Sequence, residues 1–548
     1  MQTSLEEKLP NWFISLCEVV LTLSQLTMTK PYRFILFAFF LAGSIAHAQK
    51  TPNVILFLVD DMGYSDLGCY GGEIQTPHLD SLAHGGIRYT QAYNTSKCWT
   101  TRISLLSGLY HQRSDRDFRN TALIGEVLRP AGYRTWWSGK HHARFNPYER
   151  GFHHFSGFLG GAINCWNPGD ARPGEPKPGW GSKYAWAFDD KIIQPYTPDK
   201  SFYATDAFTN WGLEWLDEES GEDEPFFLFL AYNAPHWPLH AHAKDIAKYD
   251  GVYDNGYEAV RRARYRRQLA MGLFDADTAP LSPPDHEDWN ALTPTQRKHD
   301  ALRMQIHAAM VDNVDQNVGR LVTKLKKVGE FENTLILFLV DNGASHENPK
   351  RGKKDLDAPW GSVGSFEAIG RSWANVANCP LRKWKVQGLE GGIGTPMIAH
   401  WPAGISAKPG SFNRDPCHLI DLLPTFMELA GDGAQYPKEL PKVDGISLTP
   451  TFQGEKLERN EPLCFQYGTW QSIHKNNWKL VQAKSEPWQL YDLSRDRTET
   501  RDLAKQFPER VEKMEGRWRT WYRDCTGKDW MPRKGKKPKH SRNKKSPL

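Results

Sequence analysis

The sequence predicts an α/β protein: a large mixed, mostly parallel sheet flanked by helices, then a smaller C-terminal domain with a short antiparallel sheet and a helix. Three observations carry this. Four continuous apolar, β-rich runs recur between residues 53 and 340, and each stops abruptly at charged or imidazole groups. Between the runs lie helical stretches such as Ala301 to Val328, with apolar residues at Leu302, Ile306, Ala309, Met310 and Val314. Beyond about residue 456 the texture changes to short alternating segments, the pattern of hairpin strands.

In chain order, Lys30 and Arg33 precede the apolar run Phe34 to Gly43, and Ala46-His47-Ala48 follows. A positive region, a short apolar core and an A-x-A end describe a secretory signal, with cleavage expected after Ala48. The run is shorter than the roughly 20 residues that span a bilayer, so no stable membrane insertion is expected after cleavage and the product is periplasmic or secreted. Met28 stands where such a signal begins, which marks residues 1–27 as an over-extended start. The expected organisation is a leader over 1–48, a large α/β domain over 49–455, a small domain over 456–530 and a basic tail over 531–548.

Composition excludes several classes. With 39% hydrophobic and 24% charged residues the chain reads as an ordinary globular protein. Its net charge of +5 is misleading, because eight lysines and arginines lie between Arg533 and Lys545 and the remainder carries −3. The basicity belongs to a disordered tail, and no nucleic-acid partner is expected. Eight cysteines are scattered singly, which does not suit a disulfide framework. Cys17 lies in the leader, so at least one of the remaining seven is unpaired or modified.

The first run, Asn53 to Val59, suits a strand buried on both faces and ends in Asp60-Asp61. Arg134 to Ser138 leads into Gly139-Lys140-His141-His142, Phe226 to Tyr232 into Asn233-Ala234-Pro235-His236, and Leu335 to Val340 into Asp341-Asn342-Gly343. Strands of one parallel sheet present their carboxyl ends on one edge, where α/β sheets bind ligands. Asp60, Asp61, Asp341 and Asn342 then converge as oxygen donors. Three adjacent carboxylates repel unless a cation neutralises them, and an all-oxygen set points to Ca²⁺ or Mg²⁺, with flexible carboxylates favouring Ca²⁺.

The stretch from Ser96 to Gly108 adds Cys98 and, one helical turn on, Arg102, on a loop feeding a helix whose first N–H groups favour an anion. Arg102, Lys140, His142, His236 and Lys385 form a surplus of cationic or protonatable groups around the ion. A divalent ion with three fixed cations suits an oxyacid ester and its transition state, and the two histidines suit an acid and a base. Trp166, Trp180, Trp186 and Trp237, with the loops around Cys165 to Lys191 and from Ser345 to Trp373, are candidates for shaping the pocket. From about Pro508 to Tyr522 a helix closes the small domain.

The chain resembles the formylglycine-dependent sulfatases, arylsulfatase branch, of the alkaline-phosphatase-like superfamily. The motifs are Asp60-Asp61-Met62-Gly63-Tyr64-Ser65-Asp66-Leu67-Gly68, Cys98-x-x-x-Arg102, Gly139-Lys140-x-His142, Ala234-Pro235-His236-x-Pro238, Asp341-Asn342-Gly343, Lys385 before Glu390-Gly391-Gly392, and Leu490-Tyr491-Asp492-Leu493 with Glu499. The resemblance implies that a maturation enzyme oxidises Cys98 to formylglycine, whose hydrate attacks the sulfur of an aryl or carbohydrate sulfate ester. It further implies that Asp60, Asp61, Asp341, Asn342 and residue 98 ligate one calcium, and that Arg102 and Lys140 hold the diol. His142 would assist sulfate elimination, while His236 and Lys385 bind sulfate and protonate the leaving oxygen. Thr100 departs from the family pattern, which has proline there. A phosphonate monoester hydrolase or phosphodiesterase on the same scaffold is the alternative, and a non-catalytic binder of sulfated glycans follows if Cys98 stays unmodified.

Overall fold

The computed structural model describes residues 50–531, apart from 115–116, 180–183, 219–220, 222, 349–357 and 484–485. The leader, the basic tail beyond Met531 and Trp180 lie outside the described residues. Among those described, no helix is long and apolar enough to cross a membrane.

The four apolar runs become β1 (Asn53–Asp60), β3 (Arg134–Lys140), β7 (Phe226–Pro235) and β8 (Thr334–Val340). With β2 (Ile87–Tyr93), β4 (His154–Phe158), β5 (Trp186–Phe188), β6 (Lys191–Ile193), β9 (Gly394–His400), β10 (Ser411–Asn413) and β11 (Cys417–His418) they build one sheet in the order β10-β2-β9-β8-β1-β7-β3-β4-β5-β6, with β11 also paired to β2. From β8 through β4 all neighbours run parallel. β9 is reversed against both β8 and β2. The mixed, mostly parallel sheet expected from the sequence is therefore present.

β1 sits at the centre and is buried along its length. Its alternation feeds two cores: Ile55, Phe57 and Val59 pack on one face, Val54, Leu56 and Leu58 on the other. This double burial is why the run reads as continuously apolar. Onto the first face packs the helix Pro294–Val328, which begins seven residues before Ala301. Its start is a capping box in which Thr293 Oγ1 accepts from Gln296 N while the Gln296 side chain accepts from Thr293 N.

A second sheet, β12 (Leu463–Tyr467), β13 (Trp470–Lys475), β14 (Trp478–Ala483) and β15 (Gln489–Asp492), is an antiparallel meander. The helix Pro508–Thr526 covers it through Met514 and Trp518, which pack on Cys464, Ile473, Leu480 and Leu490.

Two expectations need correction. Trp186 is wholly buried on β5 among Phe158, Tyr196 and Phe208, so it fills the core and lines no pocket. Trp373, expected at the end of a pocket loop, lies in the helix Gly370–Ala377 and is buried against Tyr253 and Tyr257. Both aromatic rings are large enough to be drawn into the core wherever the chain permits.

Candidate active site

The parallel strands β1, β7, β8 and β3 deliver their last residues to one edge, and the site assembles there. Asp60 is the last residue of β1, and in the β1–β7 register it stands opposite Pro235, one residue before His236. Asp341 and Asn342 directly follow β8, and Lys140 closes β3. Cys98 is the first residue of the helix Cys98–Ser107, with Lys97 as its extended N-cap, so the free N–H groups of that turn face the edge. Asp61 (φ 67°), Ser96 (φ 61°), His142 (φ 70°) and Val386 (φ 80°) adopt the left-handed region that non-glycine residues avoid. Such strain gathers where a chain must aim side chains at one point.

The contacts are dense. Lys140 Nζ donates to Asp60 Oδ2, and the Lys140 carbonyl accepts from Arg102 Nη1 at 2.9 Å. Arg102 Nη2 also reaches Asp341 Oδ2 at 3.3 Å. Lys385 Nζ bonds Asp61 at 2.7 Å, His236 Nε2 stands 3.4 Å from Asp61 Oδ2, and Asn342 Nδ2 donates to Asp61 Oδ1 at 2.7 Å. One potential ligand atom each from Asp60, Cys98 and Asp341 falls within 4.8 Å of the others. Nine of the ten residues singled out from the sequence thus meet in one buried cluster. The tenth, His142, is half-buried at the start of the following loop, its ring against Gly161, where any Cβ would collide with Nε2 at 2.4 Å.

Electrostatics separate the three carboxylates. Burial pushes Asp60 up, but Lys140, His236, Arg102 and Lys385 outweigh it and hold the group below the usual carboxylate range. Asp61 is likewise held low against burial, chiefly by Lys385. Asp341 is instead pushed up to about 8 by burial and by the negative charge of Asp60. Protein cations outweigh burial at Asp60 and Asp61, whereas at Asp341 the pull of Arg102 and Lys140 does not. Moreover, Asp60 Oδ1 and Asn342 Oδ1 are buried acceptors with no hydrogen-bond donor. Unpartnered buried oxygens beside an incompletely compensated carboxyl fit a hard cation ligated by oxygen. Burial lowers His236, while its Nδ1 lies 2.5 Å from the Trp237 carbonyl, which makes Nδ1 the N–H donor and Nε2 the nitrogen free to exchange a proton.

Sequence reasoning missed several residues that brace this cluster. Thr101 Oγ1 donates to the Asp341 carbonyl at 2.6 Å and accepts from Thr95 N at 3.1 Å, tying the Cys98 helix to the end of β8. Its pattern as a buried threonine in a first helical turn carried no signal of that partner. Thr101→Val should cost about 1–3 kcal/mol in unfolding free energy, because it leaves the buried carbonyl unpaired; denaturant titration reads this directly. At the departure position, Thr100 Oγ1 donates to the Lys97 carbonyl at 2.8 Å and accepts from Thr95 Oγ1 at 2.6 Å. The third position of a helix also admits proline, so both residue types fit the folded turn. Asp66 braces the turn after β1: its Oδ2 accepts from Gly63 N at 2.8 Å, and its other partners are Arg264 at 2.6 Å and His307 at 2.9 Å.

Three carboxylates, a helix-borne residue, three fixed cations and a histidine at the carboxyl edge of a parallel sheet define a hydrolase of an anionic ester. A family model described as Sulfatase matches residues 52–432, and one described as N-sulphoglucosamine sulphohydrolase, C-terminal, matches 385–517. The chain is 34% identical over 421 residues to an arylsulfatase of Klebsiella aerogenes, covering 71% of this chain and 89% of that one. Among solved structures it is similar to Ps i-CgsB in complex with k-i-k-neocarrahexaose (27% identity, TM-score 0.63, 88% and 95% of the two chains). It shares its fold with the phosphonate monoester hydrolase SpPMH from Silicibacter pomeroyi (20% identity, TM-score 0.54, 88% and 96%). The chain belongs to the sulfatase family, within the alkaline-phosphatase-like superfamily, and is a sulfuric-ester hydrolase.

Proposed function

We propose that this sulfatase works through a formylglycine made from Cys98 and through one calcium ion, on an aryl or carbohydrate sulfate, as an exported protein. The observation that carries the reading is the position of Cys98: first residue of a helix, buried, and within ligand reach of Asp60 and Asp341. An oxygen at that place joins an oxygen-donor set suited to a hard cation, which a thiol does not. Asp60, Asp61, Asp341, Asn342 and residue 98 would hold the ion. When bound, calcium neutralises the carboxylates and polarises sulfate oxygens, and the formylglycine hydrate supplies a hydroxyl nucleophile.

The chain's own side chains do the rest. Arg102 is anchored on Asp341 and on the Lys140 carbonyl, so it presents a fixed positive charge beside residue 98. Lys140 and Lys385 are fully buried ammonium groups, rigid and desolvated, which strengthens their hold on a sulfate. His236, fixed through Nδ1, would as the imidazolium give the Nε2 proton to the departing oxygen and return to the neutral ring. His142 takes the proton that must leave residue 98 when sulfate departs. Export rests on the leader sequence, and separate folding of residues 456–530 on the second sheet and its helix.

The test joins chemistry and mass. The Cys98 peptide from protein made in its native host should lose mass consistent with conversion of the thiol to an aldehyde. Cys98→Ala should lower turnover of an aryl sulfate at least about 10³-fold. Calcium should restore activity removed by a chelator. A thiol found intact in fully active enzyme sinks the formylglycine reading, binding without turnover favours a glycan binder, and faster cleavage of the matched aryl phosphate moves the assignment to phosphoryl chemistry.

A further inference from the structure

A carboxylate stands where an anion-binding site should have none. Glu347 is five residues beyond Asn342 and outside the cluster of potential metal ligands. Its Oε2 accepts from Trp237 Nε1 at 2.8 Å and lies 3.8 Å from Lys385 Nζ, and its Oε1 lies 3.7 Å from Lys97 Nζ. Lys385 is wholly buried and bonds Asp61, whereas the Glu347 side chain remains 33% exposed. Asp60, Asp61 and Asp341 are at most 2% exposed. Glu347 is thus the most exposed member of a charge chain that runs Asp61, Lys385, Glu347, Lys97. Beside it Trp237 meets Phe366 edge to face at 5.8 Å, giving an apolar wall next to the carboxylate.

From this geometry we infer that Glu347 selects the substrate: it accepts a hydrogen bond from a hydroxyl or ammonium group on the ring position next to the scissile sulfate, and it repels a second anionic group there. The inference rests on the proposed sulfate-binding role of Lys385. The physical basis is simple. A carboxylate offers about four acceptor directions, and Trp237, Lys385 and Lys97 occupy at most three of them, so the exposed group keeps acceptor capacity for a ligand. Lys385 and Lys97 hold the group well below the usual carboxylate value, at about 2 despite burial, so it is charged at neutral pH. A vicinal sulfate or carboxylate would sit against that charge, and like-charge juxtaposition is an effective means of rejecting a wrong partner. The favoured class is a sugar monosulfate with a free neighbouring hydroxyl or amino group, and the disfavoured class is a vicinally polysulfated sugar.

The experiment compares kcat/KM for a monosaccharide monosulfate and its vicinal disulfate in wild type, Glu347→Gln and Glu347→Asp, with thermal melting as the control for folding. Wild type should prefer the monosulfate. Glu347→Gln should move the ratio about tenfold toward the disulfate, and Glu347→Asp, which keeps the charge, should stay near the wild-type ratio. Equal changes on both substrates, the result of a merely structural role for Glu347, overturn the inference. Should wild type cleave neither sugar, the proposed function is judged separately, on an aryl sulfate. Selectivity is then read from calorimetric binding of the same two sugars to wild type and Glu347→Gln, and equal affinity ratios in the two proteins overturn the inference.

Discussion

Replacing Asp341 by asparagine is expected to abolish sulfate-ester turnover, by at least about 10³-fold, while making the metal-free protein more stable. The two effects have one cause. Burial and the neighbouring Asp60 push the Asp341 carboxyl up to about 8, far above its value in the unfolded chain. A carboxyl raised on folding binds more protons in the native than in the unfolded state, so its ionisation destabilises the fold. That penalty is absent below the unfolded value near pH 4, grows as pH rises, and is complete above about pH 8. Chelated wild type should therefore lose melting temperature across that window, and Asp341→Asn should flatten the loss. At pH 8 the chelated variant should melt about 4 °C above chelated wild type. Added calcium should reverse the order, because only the carboxylate repays the cation. If calcium stabilises the variant as much as wild type, Asp341 is not a ligand.

That carboxyl was legible in the sequence because a wholly buried strand has a wholly apolar code. Val340 is the last residue the core demands, and Asp341 and Asn342 break the pattern with nothing to recommend them as core. The same contrast exposed Asp60, Asp61, Lys140 and His236, so the strand-end part of the site followed from four strands. β2 and β9 lacked that contrast. Arg88, Thr90 and Gln91 interrupt β2 although most of it is buried, since Arg88 spends its charge on the Cys69 and Gly410 carbonyls. Glu347 gave no signal either, because its partners Trp237, Lys97 and Lys385 come from three separate loops. Trp186 misled for the opposite reason: an aromatic in a Gly/Pro-rich stretch looks like a pocket wall, yet the three-residue strand β5, paired on both sides, carries it into the core.

The second sheet also proves to be tied to the site, through charges that no local pattern announces. Glu390 opens the short helix Glu390–Ile393, five residues after Lys385. Its carboxylate accepts from Lys479 of β14 at 2.7 Å and from Tyr93 of β2 at 3.1 Å, and it pairs with Arg497. Lys479 also stands 2.7 Å from Glu499, whose other oxygen accepts from Glu390 N at 2.8 Å. All three of Glu390, Lys479 and Glu499 are wholly buried. Burial lowers Lys479 and raises Glu499, each against the pull of the other, so the fold bears a desolvation cost on both.

The consequence reaches the chemistry along the backbone. The loop so anchored donates Val386 N to the Ser96 carbonyl at 2.7 Å, two residues before Cys98, and Lys385 N to the Ala344 carbonyl at 3.2 Å, just past Asn342. Gly343 packs so tightly against the Gly391 carbonyl that a Cβ would lie 1.9 Å from it. Lys479→Met should therefore cost about 3–5 kcal/mol in unfolding free energy, since it leaves two buried carboxylates short of a cation, and should lower kcat through loss of register at Lys385. Adding Glu499→Gln should recover part of the stability, because the pair is then removed rather than broken. Urea titrations of the two single variants and the double variant close this cycle. Additive losses would mean that Lys479 and Glu499 do not interact and that Lys479 acts through Glu390 alone.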